Sequence, residues 1–319
     1  MSSTQQLAAQ KVQLVEIEDN ANGQRLDNFL ITRLKGVPKS HIYRIVRKGE
    51  VRVNKGRVDV SYRLELGDIV RIPPVRIAER TDEIFIPGLL RQALQDNILF
   101  EDDVLLILNK PCGYPVHGGT GINAGVIEGL RQSRPNAQFL ELVHRLDKDT
   151  SGCLLIAKKR SILRQLHEMF RGDGIQKTYT ALLSGQWLKT KQIVNVSLQK
   201  NVSKGGERFV RVNQDGKPAE TLFNRLQLFA DCTLVEAMPK TGRTHQIRVH
   251  AAWLGHPIVG DERYGMEDVN QKFKNKNYNR MFLHAAKLEF RHPKTGEKLS
   301  VNAPLPQDLH ERLSYEKPV

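Results

Sequence analysis

Apolar residues first fall into a helical rhythm at Leu26, Phe29, Leu30 and Leu34, spaced i, i+3, i+4 and i+8 on one face. Pro38, Lys39 and Ser40 then reset the chain, and Ser40 is placed to cap a second helix with Ile42, Ile45 and Val46 inside and Gly49 at its end. Val51-Arg52-Val53 alternates like a strand, Asn54-Lys55-Gly56 turns, and Leu66-Gly67-Asp68 leads into a strand over Ile69–Ile72. The pattern predicts a small domain over residues 17–76 in the order helix, helix, hairpin, preceded by a tail and first strand at 1–16. Pro73 and Pro74 stop the last strand. Residues 77–97, with Pro87, Gly88 and a short helical pattern at 89–94, read as a linker.

Residues 98–319 carry a second, larger pattern. Ile98-Leu99-Phe100, an acidic turn at 101–103 and a strand at 104–108 open it, followed by a loop rich in Pro and Gly from Asn109 to Gly119. The run from Cys153 to Ala157 reads as a buried strand, residues 164–170 as an amphipathic helix, and residues 178–183 as another strand. Thr244 is placed to cap a helix with Ile247, Ala251 and Leu254 inside, ended by Gly255 and Pro257. Residues 267–280, rich in Lys, Asn and Asp, read as an exposed insertion, and Phe282 returns the chain to the core. No period of about 20 to 50 residues repeats, so a solenoid is excluded.

The 319 residues carry a net +14, which favours a polyanionic partner, nucleic acid before membrane. From Arg33 to Arg57 there are nine basic residues against one acid, Glu50. Arg44, Arg47 and Lys48 follow i, i+3, i+4 spacing and form a stripe on the second helix, with Arg52 on the adjoining hairpin. Cations fixed on regular structure suit a surface that tracks phosphates. Aromatics are sparse there (Phe29, Tyr43, Tyr62), so recognition of folded RNA by shape and charge fits better than base stacking. Cys112, Cys153 and Cys232 make no CxxC pair, and no run of about 18 apolar residues occurs. A cytoplasmic protein without disulfide framework or membrane span is expected.

Candidate chemistry concentrates where charge meets core, in His144-Arg145-Leu146-Asp147-Lys148-Asp149-Thr150-Ser151-Gly152. Asp and Arg seldom lie at a core without partners. From the residues alone, Asp147 or Asp149 as a turn cap with Arg145 as surface partner is equally open. Gly118-Gly119-Thr120-Gly121 lacks the ending of a P-loop. Asp102 and Asp103 point apart on a turn, and His245 and His250 lack an HExxH pattern or cysteine ligands, so no metal site is expected. Helix packing and RNA contact are the readings for the two histidines.

His-Arg-Leu-Asp at 144–147 followed by Thr-Ser-Gly at 150–152 resembles the signature of the RluA-type pseudouridine synthases, which isomerise uridine within RNA. Asn109-Lys110-Pro111-Cys112-Gly113 resembles that family's first motif, and the run from Gly242 to His250 a later one. Residues 24–72 resemble the S4 RNA-binding module through Arg25-Leu26-Asp27, Lys39-Ser40 and Gly49-Glu50-Val51-Arg52-Val53-Asn54. The resemblance implies an α+β protein: a small S4 domain plus a larger domain on a mixed, mostly antiparallel sheet. It implies Asp147 as nucleophile, Arg248 as its paired cation, and Tyr179 stacking on the target base and accepting the C5 proton. It also implies that Arg145 enters the RNA stack where a uridine has flipped out. The substrate implied is large-subunit ribosomal RNA, acted on by a monomer without cofactor. The competing readings are a non-catalytic ribosome-associated RNA-binding protein and a metal-dependent RNA hydrolase.

Overall fold

The computed structural model describes residues 12–19, 21–34, 37–75, 88–118, 124–202 and 208–319. The chain divides into two compact units, residues 1–83 and 84–319. In the smaller unit, β1 (Gln13–Glu16), α1 (Leu26–Arg33), α2 (Lys39–Arg47), β2 (Arg52–Val53) and β3 (Ile69–Ile72) follow in order. The strands form an antiparallel sheet in the order β1-β3-β2. Leu26 and Leu30 of α1 and Ile42, Ile45 and Val46 of α2 are buried against Val53, Val70 and Ile72, the inward faces that the spacing predicts. Gly49 lies just past α2 at φ +70°, as a terminating glycine should. Ser40 is not the cap. Pro38 holds that position with φ −57°, and its carbonyl accepts the His41 and Ile42 amides at 2.9 and 3.2 Å.

The larger unit runs α3 (Gly88–Asp96), β4 (Ile98–Glu101), β5 (Leu105–Lys110), α4 (Val126–Ser133), β6 (Glu141–Leu142), β7 (Ser151–Ala157), α5 (Arg160–Arg171) and β8 (Ile175–Ser184). It continues with β9 (Lys191–Asn195), β10 (Leu198–Val202), β11 (Arg208–Val212), β12 (Glu220–Leu228), β13 (Cys232–Pro239) and α6 (Gln246–Trp253). Then follow α7 (Glu267–Asn275), β14 (Leu283–Arg291), β15 (Lys298–Asn302) and α8 (Gln307–Ser314). Ten strands form one sheet in the order β4-β5-β7-β14-β8-β13-β12-β9, with β15 on β14 and β6 on β7. Among the described residues only β7 and β14 pair in parallel, so the sheet is mixed and mostly antiparallel, as expected of an α+β fold. All seven residues of β7 are buried, which is why the strand reads as an unbroken apolar run after its polar start.

Several expectations are corrected. α5 spans twelve residues from Arg160, longer than the stretch 164–170. Thr244 does not cap α6. His245 holds the cap position, and the Gln246 side chain closes the turn by accepting from the Arg243 amide at 3.0 Å and the Thr241 hydroxyl at 2.6 Å. Residues 267–280 are not merely an exposed insertion. They include α7, and Phe273 and Tyr278 are buried with ring centroids 5.4 Å apart, two aromatics hidden among polar neighbours. α3 buries Leu90 and Leu94 in the core of the larger unit. Residues 77–87 of the expected linker, 119–121 of the glycine loop and 1–11 of the tail lie outside the described residues.

Candidate active site

Asp147 stands between β6 and β7 at the start of a turn in which the Thr150 amide donates to the Asp147 carbonyl at 3.2 Å. The loop after β5 is sewn to this turn. The Gly113 amide donates to the Lys148 carbonyl at 3.0 Å, and Cys112 Sγ lies 3.2 Å from the Asp149 carbonyl oxygen. Lys110 is fully buried, and its ammonium donates to the carbonyls of Pro111, Tyr114 and Lys148 at 2.9, 2.8 and 3.0 Å. Three donors meet three acceptors, and burial still pushes its pKa down to about 8. Two segments 38 residues apart are thereby held as one platform.

The Thr-Ser-Gly run has its own physical reason. Thr150 and Ser151 are buried, and Ser151 Oγ lies 3.0 Å from His284 Nδ1 and accepts from Arg280 at 3.2 Å. Gly152 has φ +109°, and a β-carbon there would collide with the Ala285 backbone. Only glycine lets β14 lie against β7 at this point, directly beyond the Asp147 turn.

Opposite Asp147, α6 presents Arg248. Its Nη1 donates to Asp147 Oδ2 at 3.0 Å, while Nε and Nη2 both donate to Asp261 at 2.8 Å. The Asp261 side chain is wholly buried and also accepts the Arg263 and Tyr264 amides at 3.0 and 3.1 Å. The guanidinium carbon rests 5.1 Å from the centroid of the Tyr264 ring. Burial by itself would lower the Arg248 pKa, but Asp261 first and Asp147 second raise it, so the cation is fixed in charge and place. Asp147 keeps 20% of its side chain exposed, which leaves a face open to a substrate. His245 Nε2 sits 3.7 Å from Asp147 Oδ1.

Tyr179 lies on β8 and packs against the cores on either side of it. Burial first, and the nearby Asp147 charge second, push its phenol pKa up. Asp147, Arg248 and Tyr179 are therefore brought together. Arg145 is exposed on the same connector two residues before Asp147, and Asp149 is exposed too. Arg44, Arg47, Lys48 and Arg52 are exposed in the smaller unit, and among the described residues none forms an ion pair. Asp102 is engaged by the Val104 and Leu105 amides and by His292, and Asp103 by Lys294 and Lys159. No cluster of three metal-ligating side chains forms among the described residues.

Residues 104–253 match the sequence profile of RNA pseudouridylate synthase, and residues 24–70 that of the S4 domain. Ribosomal large subunit pseudouridine synthase C of Yersinia pestis is 57% identical over 304 residues, 95% of either chain. The chain belongs to the RNA pseudouridylate synthase family. The protein of the same name in Haemophilus influenzae is 56% identical over 299 residues, 93% of either chain. Among solved structures, Human RNA Pseudouridylate Synthase Domain Containing 4 is similar with a TM-score of 0.57 and 27% identity, over 71% of this chain and 95% of that one.

As an RNA pseudouridine synthase, the chain isomerises uridine. A carboxylate with one oxygen held by a guanidinium and one face open is equipped for covalent attack, because its orientation is set without filling the cleft. Three residues of this synthase's site do not stand out in its sequence. Asp261 and Tyr264 lie in a turn flanked by Gly260 and Gly265, and such a turn signals a cap without revealing the arginine it holds. Lys110 lies inside the first motif, but nothing in the sequence marks the three carbonyls it holds.

Proposed function

We propose that this synthase converts specific uridines of large-subunit ribosomal RNA to pseudouridine, with Asp147 as the nucleophile and Arg248 as its fixed counter-charge. The isomerisation breaks the N1–C1′ bond, holds one fragment while the base turns, forms a C5–C1′ bond, and moves one proton off C5 while N1 takes one up. The net change is redox-neutral, so the chemistry calls for a nucleophile rather than a cofactor. Attack at C1′, addition at C6 and removal of the C2′ proton are all compatible with one carboxylate. Tyr179 stacks on the target base. Burial and the Asp147 charge both oppose its phenolate, so accepting the C5 proton is the weaker of its two roles. Arg145, exposed beside the nucleophile, fills the stack left by the flipped uridine.

Residues 98–319 carry the chemistry, and residues 17–76 track RNA phosphates through Arg44, Arg47, Lys48 and Arg52. Asp147, Arg248 and Tyr179 all come from one chain, so a monomer suffices. Among the described residues no helix is long and apolar enough to cross a membrane, and the cytoplasm is the proposed compartment.

The reading rests on one observation above others: Arg248 spans Asp147 and the buried Asp261. Ribosomal RNA from cells lacking this chain, incubated with wild type or Asp147→Asn and mapped for pseudouridine, tests it. Wild type restores the missing sites, and Asp147→Asn binds the RNA but makes no product. Product from the variant above background removes Asp147 from its role.

A further inference from the structure

His245 faces the nucleophile yet has no part in the chemistry above. It occupies the cap position of α6 at φ +53°, in the left-handed region that a residue with a β-carbon enters only at a cost. Held there, its ring lies between two partners. Nδ1 is 2.7 Å from the Tyr264 hydroxyl, and Nε2 faces Asp147 Oδ1 at 3.7 Å.

The hydrogen-bond chain favours one tautomer, because it leaves the Tyr264 proton without another acceptor in the chain. The Val210 amide on β11 can only donate, and it donates to the Tyr264 oxygen at 3.2 Å. The Tyr264 proton is thereby free to go to His245 Nδ1, which leaves the imidazole proton on Nε2. In the opposite tautomer an Nε2 lone pair would face a carboxylate oxygen. Phe209, beside Val210, packs on Tyr264 with centroids 5.1 Å apart and holds the ring in line.

We infer that His245 is a positioning residue for Asp147: a neutral imidazole that presents Nε2–H to Oδ1 while Arg248 holds Oδ2. The inference rests on the reading of Asp147 as nucleophile. Each carboxylate oxygen then faces a different donor, and the plane of the carboxylate is set without a second cation. That distinction matters chemically. Another full charge would stabilise the anion further and blunt its attack, whereas a neutral donor orients it. Burial also lowers the His245 pKa, in keeping with the neutral form. The 3.7 Å separation is longer than a hydrogen bond, and a small rotation of the carboxylate closes it.

Single-turnover kinetics at saturating enzyme, with RNA affinity measured separately, test the inference on the full chain. His245→Ala is expected to slow the chemical step by about 10- to 100-fold at unchanged RNA affinity. His245→Gln is expected to recover most of that loss, because its amide nitrogen can reach the place of Nε2. Both substitutions carry a β-carbon in the same backbone region, so strain cancels between them. Tyr264→Phe keeps the ring over Arg248 but frees the tautomer, and a several-fold slower step is expected. Nitrogen NMR of the wild type should find Nδ1 unprotonated. Equal rates for Ala and Gln, a loss confined to affinity, a wild-type rate in Tyr264→Phe, or a proton on Nδ1 would each overturn the inference. Asp147→Asn in the same assay separates the two readings. Turnover by it sinks the nucleophile, whereas a dead Asp147→Asn beside unimpaired His245 and Tyr264 variants sinks only the positioning role.

Discussion

In the smaller unit Arg44, Arg47, Lys48 and Arg52 stand in solvent, whereas in the larger unit Arg248 is only 12% exposed and spans two carboxylates. The residue types are alike and the physics is opposite. A solvated cation offers its charge to any polyanion within a Debye length, roughly 8 to 10 Å at physiological salt, and contributes little to folding. A cation pinned between a buried and a half-buried carboxylate serves only the atoms it touches, and the fold depends on it. In the function proposed above, one set of charges gathers RNA and the other aims a nucleophile, so their loss should be felt in different measurements.

The largest effect separating them is on stability. Arg248→Ala takes from the wholly buried Asp261 the guanidinium that pairs with it, and removing one partner of such a pair typically costs about 3 to 5 kcal/mol. Denaturant unfolding should show that loss together with a collapse of pseudouridine formation. A cost under about 1 kcal/mol, the range for exposed pairs, would erase the contrast.

Next in size is the RNA affinity of the stripe. Replacing Arg44, Arg47 and Lys48 together with Ala should change stability by no more than about 0.5 kcal/mol per site, since all three are exposed. Binding should weaken, and the slope of log K against log salt should flatten by about 0.7 to 0.9 for each phosphate that the protein no longer neutralises. An unchanged slope would mean that the stripe faces away from the RNA.

The two regions also differ in how far the sequence discloses them. In the smaller unit local rules suffice: the i, i+3, i+4 spacing, the terminating glycine at 49 and the turn at Asn54 are all short-range. Only the cap at Pro38 escapes them, because Ser40 offers a hydroxyl that the helix does not use. In the larger unit the motifs name Asp147 and Arg248, but those residues are 101 apart, and the sheet order together with the docking of α6 brings them into contact. Asp261 stays hidden because what matters is its burial and its grip on Arg248. A turn aspartate between glycines shows neither. His245 reads as packing or RNA contact, since its meaning depends on Tyr264, 19 residues further on. Local periodicity cannot report pairings of that range.

The smallest expected difference between the two units lies in their response to acid. Burial lowers the pKa of His144 and His250 to about 4, and that of His245 and His284 below the ordinary 6.5, and all four belong to the larger unit. Residues 1–83 contain a single histidine, His41. A histidine whose folded pKa lies below its unfolded one binds a proton more readily when unfolded. Its contribution is therefore whole above about pH 6.5 and lost as pH falls towards 4. In the smaller unit one titrating partner is Asp27, whose pKa the Arg25 hydrogen bond lowers from 3.8. Its contribution is present above that value and fades only as pH falls further. Hydrogen exchange, corrected for intrinsic rates, should find β7 and β8 losing protection between pH 6.5 and 4 while α2 holds. Loss of protection in both units at the same pH would tie them into one acid transition, and the contrast drawn from their buried charges would fail.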